Sequence, residues 1–73
     1  MTSWYTIFID AQVGGWDSKS STFTLEGNPF IYYGSMHIPH GHTLVINTGT
    51  TFTNAGIINN DGTITNNYGG TIT

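Results

Sequence analysis

The stretch that decides the fold is residues 43–73, TLVINTGTTFTNAGIINNDGTITNNYGGTIT. Thr, Asn and Gly make up 20 of its 31 residues, and Asp61 is its only charged residue. An Asn-x-Gly triplet begins at each of four positions, 47, 54, 60 and 67. One apolar residue recurs at an interval of six, which then slips to eight before the last: Ile46, Phe52, Ile58, Ile64 and Ile72. Repetition at such a short period is typical of a stacked β-architecture.

Two topologies compete for this pattern. Asp61 and Gly62 form a good two-residue hairpin turn, but the hairpin register would send Ile58 and Ile64 to opposite faces. A β-solenoid instead points one apolar residue per side inward and places Asn and Gly in the corners, where left-handed backbone geometry is needed. We therefore predict solenoid-like strands over residues 43–73, with about 18 residues per turn. The five apolar residues named above are their predicted core seam.

Residues 1–42 form an aromatic-rich front half, for which the pattern predicts a β-sheet. β-branched and aromatic residues predict strands over 3–11, 22–26, 30–33 and 36–39, with a loop over 12–21. At 73 residues and 7.9 kDa, the chain has room for one small domain. We expect a single all-β domain over 1–73, with its two halves meeting at residues 42 and 43.

The predicted first strand, SWYTIFIDA at 3–11, is apolar on both faces. A strand of this kind needs cover on two sides, either in a core or against another chain. We expect Trp4, Ile7, Phe8 and Ile9 to dock into a neighbouring subunit. Because the repeat half carries almost no charge, nothing repels a second copy from its sheet edges. The expected partner is therefore the chain itself, in a homo-oligomer or polymer.

The composition excludes several classes of function. Charged residues are 7% of the chain, and Lys19 is the only basic residue apart from histidine, so we exclude charge-driven binding to nucleic acid. No apolar run approaches the roughly 18 residues that span a bilayer. The chain has no cysteine, no paired carboxylates and no nucleophile motif, so we expect neither an enzyme nor a cofactor.

Residues 38–73 carry a resemblance to a known class of protein. The stretch IPHGHTLVINTGTTFTNAGIINNDGTITNNYGGTIT is similar to the I-P-x-G-x-T-L-x-I-x-x-G-x-T-x-x-N-x-G-x-I-x-N-x-G-T-I segments of repetitive surface proteins. Such segments occur in bacterial and archaeal extracellular adhesins, filament proteins and phage tail-fibre proteins. The resemblance implies a structural or adhesive role at an extracellular surface or on a virion. We expect a self-assembling subunit of a filament or fibre.

Three other groups of residues bear on function. No metal site is predicted, although His40 and His42 resemble the His-x-His pairs that hold a metal on the axis of phage fibre tips, and in an extended backbone they would point to one side. Exposed Trp16 and Tyr33 are the candidate glycan contacts of an adhesin or tail-fibre module. Thr-x-Thr pairs resemble those of ice-binding β-solenoids, but their starts at 22, 51, 63 and 71 are unevenly spaced, which indicates that they are out of register.

Overall fold

The computed structural model describes residues 3–27 and 29–73. This part of the chain folds into one short helix, α1 (Thr6–Ala11), followed by nine strands. The strands are β1 (Gly14–Asp17), β2 (Thr22–Leu25), β3 (Phe30–Tyr32), β4 (Ser35–Ile38), β5 (Thr43–Ile46), β6 (Thr51–Asn54), β7 (Ile57–Asn60), β8 (Thr63–Asn66) and β9 (Thr71–Ile72). The chain is therefore mainly β, as the sequence predicts.

The strands form three sheets, and the chain passes through them in a fixed order. We call one passage through all three sheets a circuit. The first sheet is β1-β2-β5-β8, the second β3-β6-β9 and the third β4-β7. Every pair except β1 with β2 is parallel. Thr22 pairs with Thr43 and Thr43 with Thr63, so successive circuits of the three sheets are 21 and 20 residues apart.

Alternation along the strands builds the core. In β2 and β5 the second and fourth residues are buried, and the first and third are half-exposed. This is the period of two that sends successive side chains to opposite faces of a sheet. The buried apolar residues of the described chain form one cluster: Phe8, Phe23, Leu25, Tyr32, Met36, Ile38, Leu44, Ile46 and Phe52.

The glycines of the four Asn-x-Gly triplets lie between strands, whereas the asparagines Asn54 and Asn60 are the last residues of β6 and β7. The Oδ1 atoms of Asn54 and Asn60 each accept a hydrogen bond from the backbone N–H two residues on, at 3.0 Å. Gly56 lies so close to the previous circuit that a Cβ there would overlap the carbonyl oxygen of Gly34. A tight corner stacked directly on the corner before it explains why the Asn-x-Gly triplets recur.

The predicted strand over 3–11 is wrong, because residues 6–11 form α1. The helix ends at Gln12, whose φ of 58° places it in the left-handed region. Trp4 and Phe8 are four residues apart and their rings pack edge to face with centroids 6.3 Å apart. A short helix puts both rings on one side, whereas a strand would have left half of its apolar residues without cover. Tertiary contacts here outweigh the β propensity of the isoleucines.

Two further expectations need correction. The predicted loop over 12–21 contains β1, whose Gly14 fits because a Cβ there would overlap the carbonyl oxygen of Thr24. The expected division at residues 42 and 43 does not separate two sheets, since front-half strands β2, β3 and β4 each pair with a strand of the repeat half. The recurring circuits thus begin at residue 22.

Candidate functional site

The three sheets end together on one side of the molecule. β8 is the last strand of the first sheet, β9 of the second and β7 of the third. We call the surface formed by these three edges the open end. The backbone N–H groups of Thr63 and Asn67 bond back to the previous circuit, at His42 and Ile46. Because alternate residues of a strand direct their backbone groups to opposite neighbours, Ile64 and Asn66 direct theirs away from β5, to the open end.

Apolar residues become more exposed toward the open end. Of the predicted core seam, Ile46 and Phe52 are buried, and Ile58 and Ile64 are half-buried against the core. Ile72, in β9, is 41% exposed. The sequence reasoning missed Leu44, which is fully buried and pairs with Ile64 in the sheet. With Leu44 as the start of the pattern, the spacing of inward residues is eight, six, six and eight, because one corner per circuit is two residues longer.

The opposite end carries α1 and β1, and we call it the helical end. Phe8 is fully buried, and its ring centroid lies 5.2 Å from that of Phe23 and 5.2 Å from that of Phe30. Both partners belong to strands of the first circuit, so Phe8 covers the interior where the circuits begin. The residues predicted to dock into a neighbour thus divide: Phe8 packs inside its own chain, Trp4 packs partly against the core, and Ile7 and Ile9 are 41% and 45% exposed.

A ladder of side chains runs along one corner from the helical end to the open end. Asn47 donates from Nδ2 to Oε2 of Glu26 at 3.1 Å, and Asn67 donates from Nδ2 to Oδ1 of Asn47 at 3.4 Å. Each donor comes from the later circuit and each acceptor from the earlier one. The carboxylate of Glu26 accepts and does not donate, whereas the amide of Asn67 carries both a donor and an acceptor.

The outer face of the first sheet is an array of threonines. Thr22, Thr43 and Thr63 stand in one row across β2, β5 and β8, and Thr24, Val45 and Thr65 form the row beside it. In the second sheet, Thr73 Oγ1 donates to Thr53 Oγ1 at 3.1 Å. The interpretation that the Thr-x-Thr pairs are out of register is wrong. Their uneven spacing in the sequence arises because the pairs belong to two different sheets.

The histidines occupy separate environments. His40 is exposed in a turn closed by a hydrogen bond from His42 N–H to the Pro39 carbonyl, so the extended backbone assumed for His40 and His42 is wrong. His42 Nδ1 accepts a hydrogen bond from Trp4 Nε1 at 3.0 Å. His37 contacts Asp61 at 2.7 Å on the surface. Among residues 3–27 and 29–73, no three metal-ligating side chains come together.

The two candidate glycan contacts differ in exposure. Trp16 stacks on Tyr5 with ring centroids 3.7 Å apart and is half-buried. One face of its indole ring is therefore covered by Tyr5 of the same chain. Tyr33 is 75% exposed. A groove of about 520 Å³ lies elsewhere, between Trp4 and β4, and is lined by neither of them.

In the part of the chain that the structure describes, no helix has the length and apolar character needed to cross a membrane. Comparisons with models of known protein families, with curated proteins and with solved structures gave no match.

Proposed function

We propose that the chain is a three-sided β-solenoid with a structural role, a self-assembling subunit of an extracellular filament or virion-associated fibre that associates through its open end. The solenoid interpretation is supported by parallel strands that recur every 20 to 22 residues in three sheets. It is also supported by inward apolar residues and by Asn and Gly in the corners. The extracellular or virion setting rests on the sequence resemblance.

The observation that carries the proposed role is the open end itself. All three sheets end there in strands whose outer backbone groups have no partner strand within the described chain. Such an edge pairs readily with further β-structure, because main-chain hydrogen bonds supply the affinity. Ile72 at 41% exposure and Ile57 at 66% add apolar surface on the edge strands. Natural proteins protect free edges with charge or proline, and β7, β8 and β9 contain neither.

The distribution of charged residues also supports association through the open end. Four of the five charged residues lie before β3, at the start of the chain: Asp10, Asp17, Lys19 and Glu26. The later circuits contain only Asp61, which contacts His37. A surface with so few charged residues associates with its own copy at little electrostatic cost.

Sedimentation velocity over a wide range of protein concentrations tests the proposed role. We expect a species heavier than the 7.9 kDa chain to grow with concentration, and electron microscopy of the same samples shows its form. A single species of 7.9 kDa at every concentration up to the millimolar range would contradict self-association.

The threonine array favours a second candidate, ice binding. Five threonines and one valine stand in two rows on the outer face of the first sheet, with neighbouring strands about 4.8 Å apart. Regularly spaced rows of methyl and hydroxyl groups suit an ordered water surface. Thermal hysteresis in a nanolitre osmometer tests it. Thr43→Lys, at the centre of the array, should abolish any activity, whereas Asn59→Lys on the third sheet should not change it.

A further inference from the structure

We infer that the groove between Trp4 and β4 binds an extended, uncharged peptide segment of a different protein, which adds to the free edge of β4 as a further strand. The groove is lined by Trp4 and Ile7 of the helical end, so this site is separate from the open end. Peptide binding here is therefore a function beyond the proposed self-association.

One edge of β4 has no partner strand within the described chain. The third sheet consists of β4 and β7 alone, so β4 is paired on one side. The N–H of Asp61 donates to the carbonyl oxygen of Ile38 at 2.8 Å, so Ile38 directs its backbone groups toward the β7 side. Because alternate residues of a strand direct their backbone groups to opposite neighbours, Ser35 and His37 direct theirs to the free edge.

The groove runs along that free edge. It is lined by three consecutive residues of β4: Ser35, Met36 and His37. Met36 is buried, whereas Ser35 and His37 are exposed, since successive side chains of a strand point to opposite faces. A groove that reaches side chains on both faces lies at the edge between them. The backbone groups of Ser35 and His37 thus face the groove.

The edge offers a small, defined set of hydrogen bonds to an added strand. The carbonyl oxygen of Ser35 already accepts a bond from the Tyr32 hydroxyl at 2.7 Å. Pro39, at the next alternate position, has no N–H. The groups directed to the groove are therefore the Ser35 N–H and both backbone groups of His37. In antiparallel addition, one peptide residue would exchange two bonds with His37.

The other side of the groove is apolar and already formed. Trp4 and Ile7 line it, and Ile7 is 41% exposed. The indole N–H of Trp4 donates to His42 Nδ1 at 3.0 Å, which fixes the orientation of the ring. A site that is rigid before binding loses less entropy when the ligand arrives. A bound strand would place every second side chain against this apolar wall.

The charge and size of the groove determine its occupant. Among the described residues that line it there is no Asp, Glu, Lys or Arg, so a charged side chain would be desolvated there without a partner. β4 has four residues and is about 13 Å long, and the groove volume of about 520 Å³ lies within the roughly 300–1,000 Å³ of ligand sites. A short extended segment fits.

A second copy of this chain is a poor occupant. Each of the nine strands in the described chain already pairs within its own three sheets, so no strand is free to enter the groove. A folded copy is also too wide, since its smallest dimension is 21 Å. The geometry therefore favours a segment from a different protein.

Amide NMR titration with a synthetic peptide tests the site. The probe is the uncharged pentapeptide acetyl-Thr-Val-Thr-Val-Thr-amide. Its matched control has the same side chains and N-methyl groups on the three central residues, so it cannot add as a strand. We expect the probe to shift the amide signals of Ser35 and His37, and the N-methylated peptide to bind at least about tenfold more weakly.

Two matched pairs of variants locate the binding. Ser35→Pro removes an N–H directed to the groove at the first residue of β4, where proline is tolerated, and Ser35→Ala keeps that N–H. Ile7→Glu places a charge in the groove, whereas Ile9→Glu places one outside it, on a residue of similar exposure, 45% against 41%. Ser35→Pro and Ile7→Glu should each weaken probe binding at least about tenfold, and the two controls less than about twofold. Circular dichroism checks that each variant is folded.

The outcomes separate this site from the proposed function. Shifts at Ser35 and His37 that both groove variants weaken support it. Shifts confined to Ile64 and Asn66 overturn it, because the probe would then add to the open end. Equal binding of the N-methylated peptide overturns strand addition. No shift at millimolar probe, or shifts with methyl glucoside alone, also overturns it, and each of these results leaves self-association standing.

Discussion

Phe8 packs α1 against the rest of the protein, and we predict that its replacement with alanine strongly destabilises the fold. Its side chain is fully buried, and its ring centroid lies 5.2 Å from those of Phe23 and Phe30 and 5.8 Å from that of Phe52. Truncation of a buried phenylalanine costs about 3–5 kcal/mol. Loss of three aromatic contacts favours the upper part of that range.

That cost is large for a chain of this size. A 73-residue protein has a free energy of unfolding of roughly 4–11 kcal/mol, so Phe8→Ala should remove much of it. The melting temperature should fall by at least about 12 °C. Urea unfolding followed by circular dichroism measures the change, at one protein concentration throughout because association adds to apparent stability.

Ile9→Ala is the control, since Ile9 lies on the same helix and is 45% exposed. We expect it to change the free energy of unfolding by less than about 0.5 kcal/mol. If Phe8→Ala falls within about 1 kcal/mol of the unmodified protein, α1 does not cover the interior as described. If it leaves folding unchanged and weakens only association, the docking of Phe8 into a neighbour, as the sequence predicts, is the correct interpretation.

Three more substitutions test individual contacts by urea unfolding. Gly56→Ala should destabilise by about 1–3 kcal/mol, because its Cβ would meet the backbone of the previous circuit, whereas Gly15→Ala has open space and should cost less than about 0.5 kcal/mol. Asn47→Ala should cost about 1–2 kcal/mol by breaking the ladder at its middle member, and an unchanged midpoint would show that the ladder is not stabilising. Trp4→Phe, which removes the N–H donor to His42, should cost about 1 kcal/mol, and no loss would mean that water satisfies the histidine equally well.

In the repeat half, residues 43–73, most strands and inward residues could be predicted from the sequence. The six-residue interval of the apolar residues and the Asn-x-Gly triplets predict short strands with inward isoleucines, and the structure has strands at 57–60 and 63–66 with Ile58 and Ile64 on the inner side. The predicted length of about 18 residues per turn was short by two. The corner at 47–50 has four residues where the other two corners of the circuit have two, and the six-residue interval from Ile46 to Phe52 concealed this.

The front half was harder to predict, because its structure depends on contacts distant in sequence. The residues of α1 have the composition of a strand, and only the four-residue spacing of Trp4 and Phe8 indicates a helix. The segment at 14–17 lacks strand-forming residues apart from Trp16, so its pairing with β2 leaves no local signal. The threonine rows likewise become visible only once each strand is assigned to its sheet.

The inward apolar side chains become more exposed from Leu44 to Ile72, and this determines the order in which the circuits unfold and fold. Each circuit is held mainly by the one before it, so loss of structure should begin at β9 and β8 and proceed toward α1. Amide hydrogen exchange should accordingly be slowest near residues 23–25 and 44–46 and fastest beyond residue 63. During synthesis the helical end emerges from the ribosome before the later circuits. Each later circuit can therefore pair with a circuit that has already been synthesised.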